Sequence, residues 1–269
     1  MIPIDEHPPI AVRTLSERAL GYLRDGPRPA LDIVRDVLGL QRANLVIADR
    51  LATALLGADP RFTFDLEGRW SLVPEPAWHG VRLQDVRFAV VDVETTGMRS
   101  RGCEDRITEI AIVHVDGPRI AVAFDSLVNP ERPIPPYIQQ LTGIRERDVA
   151  RAPTFAEIAD QVVAALAGRV FVAHNARFDW NFVSAELERA QDFTPRMPKL
   201  CTVRLTRKLV PELSRRSLDS VMWYFGLETE RRHRASGDAE VTAQALLRLM
   251  KRARDTGCLT WEDLQPLGN

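Results

Sequence analysis

Apolar and polar positions alternate with two different periods in the first 72 residues. Apolar residues recur about every 3.6 positions over residues 12–26, 29–40 and 41–57, and this spacing predicts three helices. Residues 61–72 alternate every second position around a glycine, which predicts a β-hairpin. The amino-terminal part of the chain is therefore predicted to be small and mainly helical.

Residues 73–86 break both periods, since they contain two prolines and a glycine, and we place a domain boundary there, after residue 78. Beyond it, residues 86–94, 106–117 and 119–130 are β-rich and predict a three-stranded meander. The later pattern predicts a helix over 154–168, a buried strand over 169–174, a helix over 176–190, and two helices over 217–227 and 236–253 that close the chain.

These elements predict two domains. Residues 1–78 resemble a winged helix-turn-helix domain, with three helices followed by a hairpin. Residues 79–269 predict an α/β domain, because strands and helices alternate along them.

The composition is that of an ordinary globular protein. The chain has 269 residues, of which 45% are hydrophobic and 27% charged, and these values exclude disordered and fibrous classes. No apolar run approaches the roughly 20 residues of a membrane span. The first ten residues lack the apolar core of a secretory signal, so we expect a cytoplasmic protein without a membrane partner.

Charge is distributed unevenly although the formal net charge is −1. Residues 1–80 carry 9 Arg against 11 acids, hence −2, and provide no basic surface for DNA. Residues 189–234 carry 11 Lys and Arg against 5 acids, hence +6, so a polyanion would bind here. For the amino-terminal module, arginines such as Arg42 and Arg50 leave DNA contact open beside protein contact.

A pair of acids ends the first strand of the second domain. Because side chains alternate along a strand, Asp92 and Glu94 share the face of Phe88 and Val90. Two carboxylates on one apolar face repel each other unless a cation compensates, and a divalent metal ion is the simplest compensator. From this pair alone, a strand end at which both acids emerge into solvent is the alternative.

Two further acids begin helices with apolar stripes. Asp179 follows His174 and Asn175 after the buried strand, in line with the apolar positions four and eight residues later. Asp238 leads the apolar stripe of the helix predicted over 236–253, and His233 precedes it by five residues. Four carboxylates and a histidine are what two-metal phosphoryl chemistry requires.

The motifs DVETTG at 92–97, HNARFD at 174–179 and H-x4-D at 233–238 resemble those of the DEDDh exonuclease family. That family includes the proofreading ε subunit of bacterial DNA polymerase III. The resemblance covers residues 85–252 and implies a ribonuclease H-like fold with a mixed sheet flanked by helices. It implies two Mg²⁺ or Mn²⁺ ions bound by Asp92, Glu94, Asp179 and Asp238, with His233 as general base. His233 separates this subfamily from its sister, which has a tyrosine there.

The implied reaction is 3′→5′ removal of nucleoside 5′-monophosphates from DNA ends, in proofreading or repair. Its expected partners are single-stranded DNA or RNA 3′ ends and a DNA polymerase or repair complex. Substrate contacts are expected from residues beside the motifs, namely Thr95, Thr96, Gly97, His174, Arg232 and Arg234.

Two other functions stay open at this point. An exoribonuclease acting on RNA ends or oligoribonucleotides would use the same motifs. A catalytically silent nucleic-acid-binding or scaffold protein is the second alternative, although such a protein has no physical need for four converging acids.

Overall fold

The computed structural model describes residues 14–57, 59, 61–65, 67–72, 80–100, 105–191, 195 and 197–268. The chain divides into two compact units, residues 1–75 and residues 76–269. No helix within the described ranges is long and apolar enough to cross a membrane.

The amino-terminal unit contains three helices and a small antiparallel sheet with the strand order β1-β3-β2. The three predicted helices and the hairpin are present within it. In chain order its elements are α1 (Leu15–Leu23), β1 (Arg28–Pro29), α2 (Ala30–Asp36), α3 (Leu45–Leu56), β2 (Phe62–Phe64) and β3 (Arg69–Leu72). Apolar side chains from all three helices pack with Phe62 and Trp70 into one core.

The second unit is built on a five-stranded mixed sheet with the order β6-β5-β4-β7-β8. Strands β4, β5 and β6 form the predicted antiparallel meander, whereas β7 lies parallel to β4 and β8 parallel to β7. The strands are β4 (Arg87–Thr95), β5 (Ile107–Asp116), β6 (Arg119–Leu127), β7 (Val170–Ala173) and β8 (Lys199–Cys201). The sequence prediction of a mixed sheet flanked by helices is confirmed.

Helices cover both faces of this sheet. After a 3₁₀ turn at Leu83–Asp85 they are α4 (Pro136–Thr142), α5 (Glu146–Val149), α6 (Phe155–Leu166), α7 (Ala176–Gln191), α8 (Thr202–Leu209), α9 (Leu218–Phe225), α10 (Ala235–Asp255) and α11 (Trp261–Gly268). Phe88 and Val90 of β4 pack towards α8, α9, α10 and α11. Ala89 and Val91 pack on the opposite face, against α6 and α7.

Local sequence signals set several helix ends. Thr154 and Glu157 form a reciprocal capping box at the start of α6, with Thr154 N donating to Glu157 Oε2 at 2.7 Å. Ser217 caps α9, and Gly226 ends it in a left-handed conformation with φ of 63°.

The structure differs from the sequence prediction in short elements, among them β1, β8, α5, α8 and α11. Strands β1 and β8 span two and three residues, too short to show a period of two. Helix α8 lies in a strongly charged segment that we left unassigned, and its buried residues are Thr202, Leu205 and Thr206. The prediction that residues 236–253 close the chain was wrong, because α11 follows and buries Trp261 and Leu264.

Candidate active site

The acidic pair stands at the carboxyl end of β4, as the alternation of side chains predicts. Asp92 and Glu94 are only partly exposed, while Val91, Val93 and Thr95 between and beside them are buried. Asp92 lies opposite Ala111 of β5, and Glu94 lies opposite Glu109. The pairing of β4 with β5 shifts register just after Glu94, so the strand bends where its acids end.

Helix α10 brings a third carboxylate to the pair. Asp238 lies in its first turn and is 7% exposed. Carboxylate oxygens of Asp92, Glu94 and Asp238 all lie within 4.8 Å of one another. Below Asp238 the helix continues with Val241, Ala245 and Leu249, which are almost completely buried, so packing of the apolar stripe places the acid.

Asp179 approaches the same edge of the sheet from the other face. Strands β4 and β7 are parallel, and the chain leaves the carboxyl end of β7 directly into α7. Asp179 is 4% exposed in the first turn of α7, above the buried Val183 and Leu187. Burial is the largest cause of the raised pKa of Asp92, and repulsion from the Asp179 carboxylate is the second.

Burial makes the ionised state of this cluster costly. Burial, followed by repulsion from Asp238 and other acids, raises the pKa of Glu94 to about 8. Burial raises the pKa of Asp179 to about 8, and burial with repulsion from Asp179 raises the pKa of Asp92 well above its usual range. These carboxyl groups therefore lack sufficient positive charge nearby.

The donor set fits a divalent cation. Oxygen ligands from carboxylates are those that Mg²⁺ and Mn²⁺ prefer. The Oδ1 atom of Asp238 is buried and has no hydrogen-bond partner in the described part of the chain, so one ligand atom is free for an ion. Chemistry and burial thus agree with a metal site at Asp92, Glu94 and Asp238.

His233 lies in the exposed turn just before α10. Its φ of 59° is in the left-handed region, which is uncommon for a residue with a side chain. The side chain is exposed, and the described residues offer its imidazole no hydrogen-bond partner.

The two arginines beside His233 are both held by acids. Arg232 donates to Asp219 through Nε at 2.9 Å and through Nη2 at 2.7 Å, and its Nη1 donates to Oδ2 of Asp238. Arg234 donates to Glu109 through Nε at 3.0 Å and Nη2 at 2.6 Å. Both guanidinium groups therefore already have carboxylate partners, and their contact with substrate stays a prediction.

The turn after the acidic pair is closely packed. Thr95 Oγ1 donates to the carbonyl of Gly97, and Thr96 Oγ1 accepts the amide of Arg106 at 3.0 Å. A Cβ atom on Gly97 would overlap the carboxylate of Asp105, so any larger residue here would require the Asp105 side chain to move. Both threonines are buried, and Gly97 gives the turn room for Asp105.

His174 is held inside the protein by both ring nitrogens. Its Nδ1 lies 2.9 Å from Thr202 Oγ1, and its Nε2 lies 2.9 Å from the carbonyl of Arg216. Burial lowers the pKa of His174, which favours a neutral ring. Both ring nitrogens therefore have partners within the protein, and contact of His174 with substrate stays a prediction.

Sequence reasoning missed Glu109. This acid is 2% exposed in the interior of β5, opposite Glu94, and it also accepts the amide of Ala235 at 2.9 Å. The signal was present, because an acid inside the apolar run Ile107–Val113 shares the face of Ala111.

Comparison with known proteins gives a consistent picture. A family model described as "Exonuclease" (RNase_T) matches residues 89–246. The chain is 37% identical over 181 residues to the 3′-5′ exonuclease DinG of Bacillus subtilis, covering 67% of this chain and 19% of DinG. It is 39% identical over 205 residues to the DNA polymerase III subunit epsilon-like protein of Rhodobacter capsulatus, covering 74% of this chain and 28% of that protein. The chain thus spans less than a third of either relative.

A third relative is matched over most of its length. The DNA polymerase III subunit epsilon of Aquifex aeolicus is 32% identical over 169 residues, which cover 63% of this chain and 83% of that subunit. A relative of this identity and coverage places the chain among proteins of the same family.

Solved structures agree in fold. Exonuclease X, in complex with 5′ overhanging duplex DNA, is 29% identical with a TM-score of 0.51, over 68% of this chain and 98% of that one. A full-length 3′-exonuclease at 17% identity and a TM-score of 0.55 covers 86% of this chain and 77% of its own, and supports the fold alone. With its mixed sheet, its acidic cluster and a family match over more than half its length, the chain belongs to the exonuclease family that RNase_T describes.

Proposed function

We propose that this protein is a metal-dependent 3′→5′ exonuclease of the DEDDh type that releases nucleoside 5′-monophosphates from DNA ends. The observation that carries the proposal is the meeting of Asp92, Glu94 and Asp238 within 4.8 Å in a protein of the exonuclease family. The assignment to the DEDDh type rests on His233, five residues before Asp238.

The proposed ligands for two Mg²⁺ or Mn²⁺ ions are Asp92, Glu94, Asp179 and Asp238. When bound, the ions would offset the negative charge that builds up on the scissile phosphate. The pKa values of Glu94 and Asp179, both raised to about 8, support this reading, because a nearby cation stabilises the ionised carboxylates that burial disfavours.

His233 is the proposed general base. Its exposed imidazole accepts a proton from the attacking water. The water oxygen then forms a bond to the terminal phosphorus, and the bond from phosphorus to the 3′ oxygen of the preceding nucleotide breaks. The departing oxygen takes a proton from solvent, and the terminal nucleotide leaves as a 5′-monophosphate.

For the substrate, the neighbours favour DNA. Exonuclease X is described with a duplex that has a 5′ overhang, and such a duplex has a recessed 3′ end. Thr95, Thr96 and Gly97 remain our proposed contacts to the terminal nucleotide, through backbone groups, since both hydroxyls already have partners. A DNA polymerase or repair complex is the proposed partner, in line with the epsilon-like relatives.

The test compares acid variants with a control on the same helix. Asp92→Ala and Asp238→Ala are each expected to abolish both hydrolysis of a DNA oligonucleotide and calorimetric Mn²⁺ binding. Asp255→Ala removes an exposed acid at the end of α10 and should leave both unchanged. Full activity in either site variant would refute the proposal, and faster hydrolysis of a matched RNA would favour the exoribonuclease.

For the amino-terminal unit we propose a winged-helix-like module of residues 1–78, followed by an exonuclease domain of residues 79–269. The element order and the β1-β3-β2 sheet support this topology. Arg69 is paired with Asp65 at 3.0 Å, and the segment is net acidic, which favours protein contact over DNA contact.

The role of this module can be tested with its exposed arginines. The double variant Arg42→Ala/Arg50→Ala is expected to leave the KM for DNA within about twofold of the unmodified protein, since KM rises when binding energy for the substrate is lost. A tenfold rise in KM would assign the module to DNA.

A further inference from the structure

Glu109 of β5 lies opposite Glu94 and contacts Arg234 and Ala235, which follow His233 in the chain. Glu109 is almost completely buried, yet its carboxylate carries three close contacts from Arg234 and one from the amide of Ala235. We propose that Glu109 is a positioning residue that holds His233 and the first turn of α10 in place through Arg234 and Ala235. This inference rests on the function proposed for His233.

The contacts of Glu109 form a two-point clamp. Arg234 places Nη2 at 2.6 Å from Oε1 and Nε at 3.0 Å from Oε2, which is a bidentate guanidinium–carboxylate pair. Ala235 N donates to Oε2 at 2.9 Å from the first residue of α10. A carboxylate at a helix start also interacts favourably with the helix dipole. The clamp therefore ties the rigid central sheet to the start of α10.

His233 sits between two anchored neighbours. Arg234 on one side is fixed to Glu109, and Arg232 on the other is fixed to Asp219 and Asp238. The left-handed backbone of His233, with φ of 59°, is unfavourable for a residue with a side chain, so the neighbouring contacts must hold it.

The loop of residues 231–234 also packs closely against α10, the helix that carries Asp238. A Cβ atom on Gly237 would lie 2.1 Å from the carbonyl oxygen of Arg231, so only glycine permits this approach. Residues 231–234 and the first turn of α10 are therefore closely packed against each other. On the proposed role of Glu109, loss of its contacts would displace the proposed base and a proposed metal ligand together.

Electrostatics argue against a role for Glu109 in merely balancing charge at the site. Burial and repulsion from Asp238 are the larger causes of the raised pKa of Glu94, and the negative charge of Glu109 adds to them. An apolar side chain would fill the position in β5 without this cost. What the carboxylate contributes is the fixed geometry of Arg234 and Ala235.

The first test is a double-mutant cycle with kinetics on single-stranded DNA in Mg²⁺. Glu109→Gln is expected to lower kcat about 10- to 100-fold with KM nearly unchanged, because a misplaced catalytic group costs about this much. In the His233→Ala background the same substitution should cost less than about twofold, since residues that act as a unit are non-additive.

Glu186→Gln is the matched control. Glu186 is also 2% exposed and also accepts from an arginine Nε, that of Arg106 at 2.7 Å, and from a backbone amide, that of Ile107 at 3.3 Å. Any loss of kcat in Glu186→Gln should persist unchanged in the His233→Ala background. If Glu109→Gln behaves in this additive way, or leaves kcat unchanged, the proposal is overturned.

Arg234→Lys tests the same contact from the arginine side, so the proposal can still be tested if the Glu109 variant does not fold. It also distinguishes a role in the clamp from a role in phosphate binding. Lysine keeps the charge but cannot form the bidentate pair. The clamp predicts a loss of kcat as large as that of Glu109→Gln with KM retained. Unchanged kcat, with or without an altered KM, would contradict the clamp.

Hydrogen exchange gives a readout that does not depend on nuclease activity. In metal-free protein, Glu109→Gln is expected to speed amide exchange in residues 231–238 about tenfold or more, and Glu186→Gln is not. Unchanged exchange in this segment would overturn the clamp. Absence of hydrolysis by the unmodified protein, with faster exchange in Glu109→Gln, would reject the proposed function and keep the clamp.

Discussion

The raised pKa values of Glu94 and Asp179 should make metal binding depend on pH. Glu94 and Asp179, each with a pKa of about 8, hold protons at neutral pH that a cation must displace. The association constant for Mn²⁺ should therefore increase more than about tenfold from about pH 6.5 to about pH 8.5. Calorimetry at both values measures it, and an affinity that is independent of pH would show that these acids are already ionised.

His233 tests the assignment of the base. Replacement by alanine is expected to lower kcat by about 10² to 10⁴, the usual contribution of general acid–base catalysis. Because the side chain is exposed and unpaired in the described part of the chain, the melting temperature should stay unchanged. Steady-state kinetics and thermal unfolding check both statements, with Asp255→Ala as control. Undiminished kcat would remove His233 from the mechanism.

Single residues differ in how well the sequence predicts their place. Alternation along β4 puts Asp92 and Glu94 on one face, and the structure has them there. For the arginines beside His233, contact with substrate stays a prediction, and the structure adds ion pairs with Asp219, Asp238 and Glu109 that the sequence did not indicate. Such pairing depends on strands and helices distant in sequence, which local patterns do not contain.

At the scale of elements, the start of α10 is the most constrained point. Gly237→Ala places a methyl group 2.1 Å from the Arg231 carbonyl, so the loop must move. We expect a stability loss of about 1–3 kcal/mol, as for other overpacked sites, together with a fall in kcat. Denaturant unfolding and kinetics measure the two effects.

The control for this prediction is Gly21→Ala in α1, where an added Cβ meets nothing within 4 Å. Alanine there should stabilise the helix by about 1 kcal/mol and leave kcat unchanged. If Gly237→Ala and Gly21→Ala change the free energy of unfolding and kcat equally, the close approach of the Arg231 carbonyl to α10 would be contradicted.

Hydrophobic periodicity in the sequence predicts the long helices and strands better than the short ones. The strands of the meander and the helices α6, α7 and α10 have enough residues for their periods to emerge. Strand β8 has three residues and is recognised only by its pairing with β7. Helix α11 contains Pro266 and only eight residues, and its burial of Trp261 fixes it against the larger core.

At the scale of the whole molecule, topology assembles the site. Parallel pairing of β4 and β7 brings Asp179 to the edge that already holds Asp92 and Glu94, and the long helix α10 adds Asp238 from the other face. The four acids span 147 positions of sequence, from 92 to 238 inclusive, so no local sequence pattern predicts the distances between their carboxyl groups. Only the order of the three motifs indicated that they would converge.

The most direct test of this account is digestion of a 5′-labelled single-stranded DNA oligonucleotide beside a matched RNA, in Mg²⁺, Mn²⁺ or EDTA, with Asp238→Ala as control. We predict a ladder that shortens from the 3′ end, requires the metal, is absent in the variant and is stronger on DNA. No shortening of either strand in either metal, from protein that binds Mn²⁺, would contradict the exonuclease assignment.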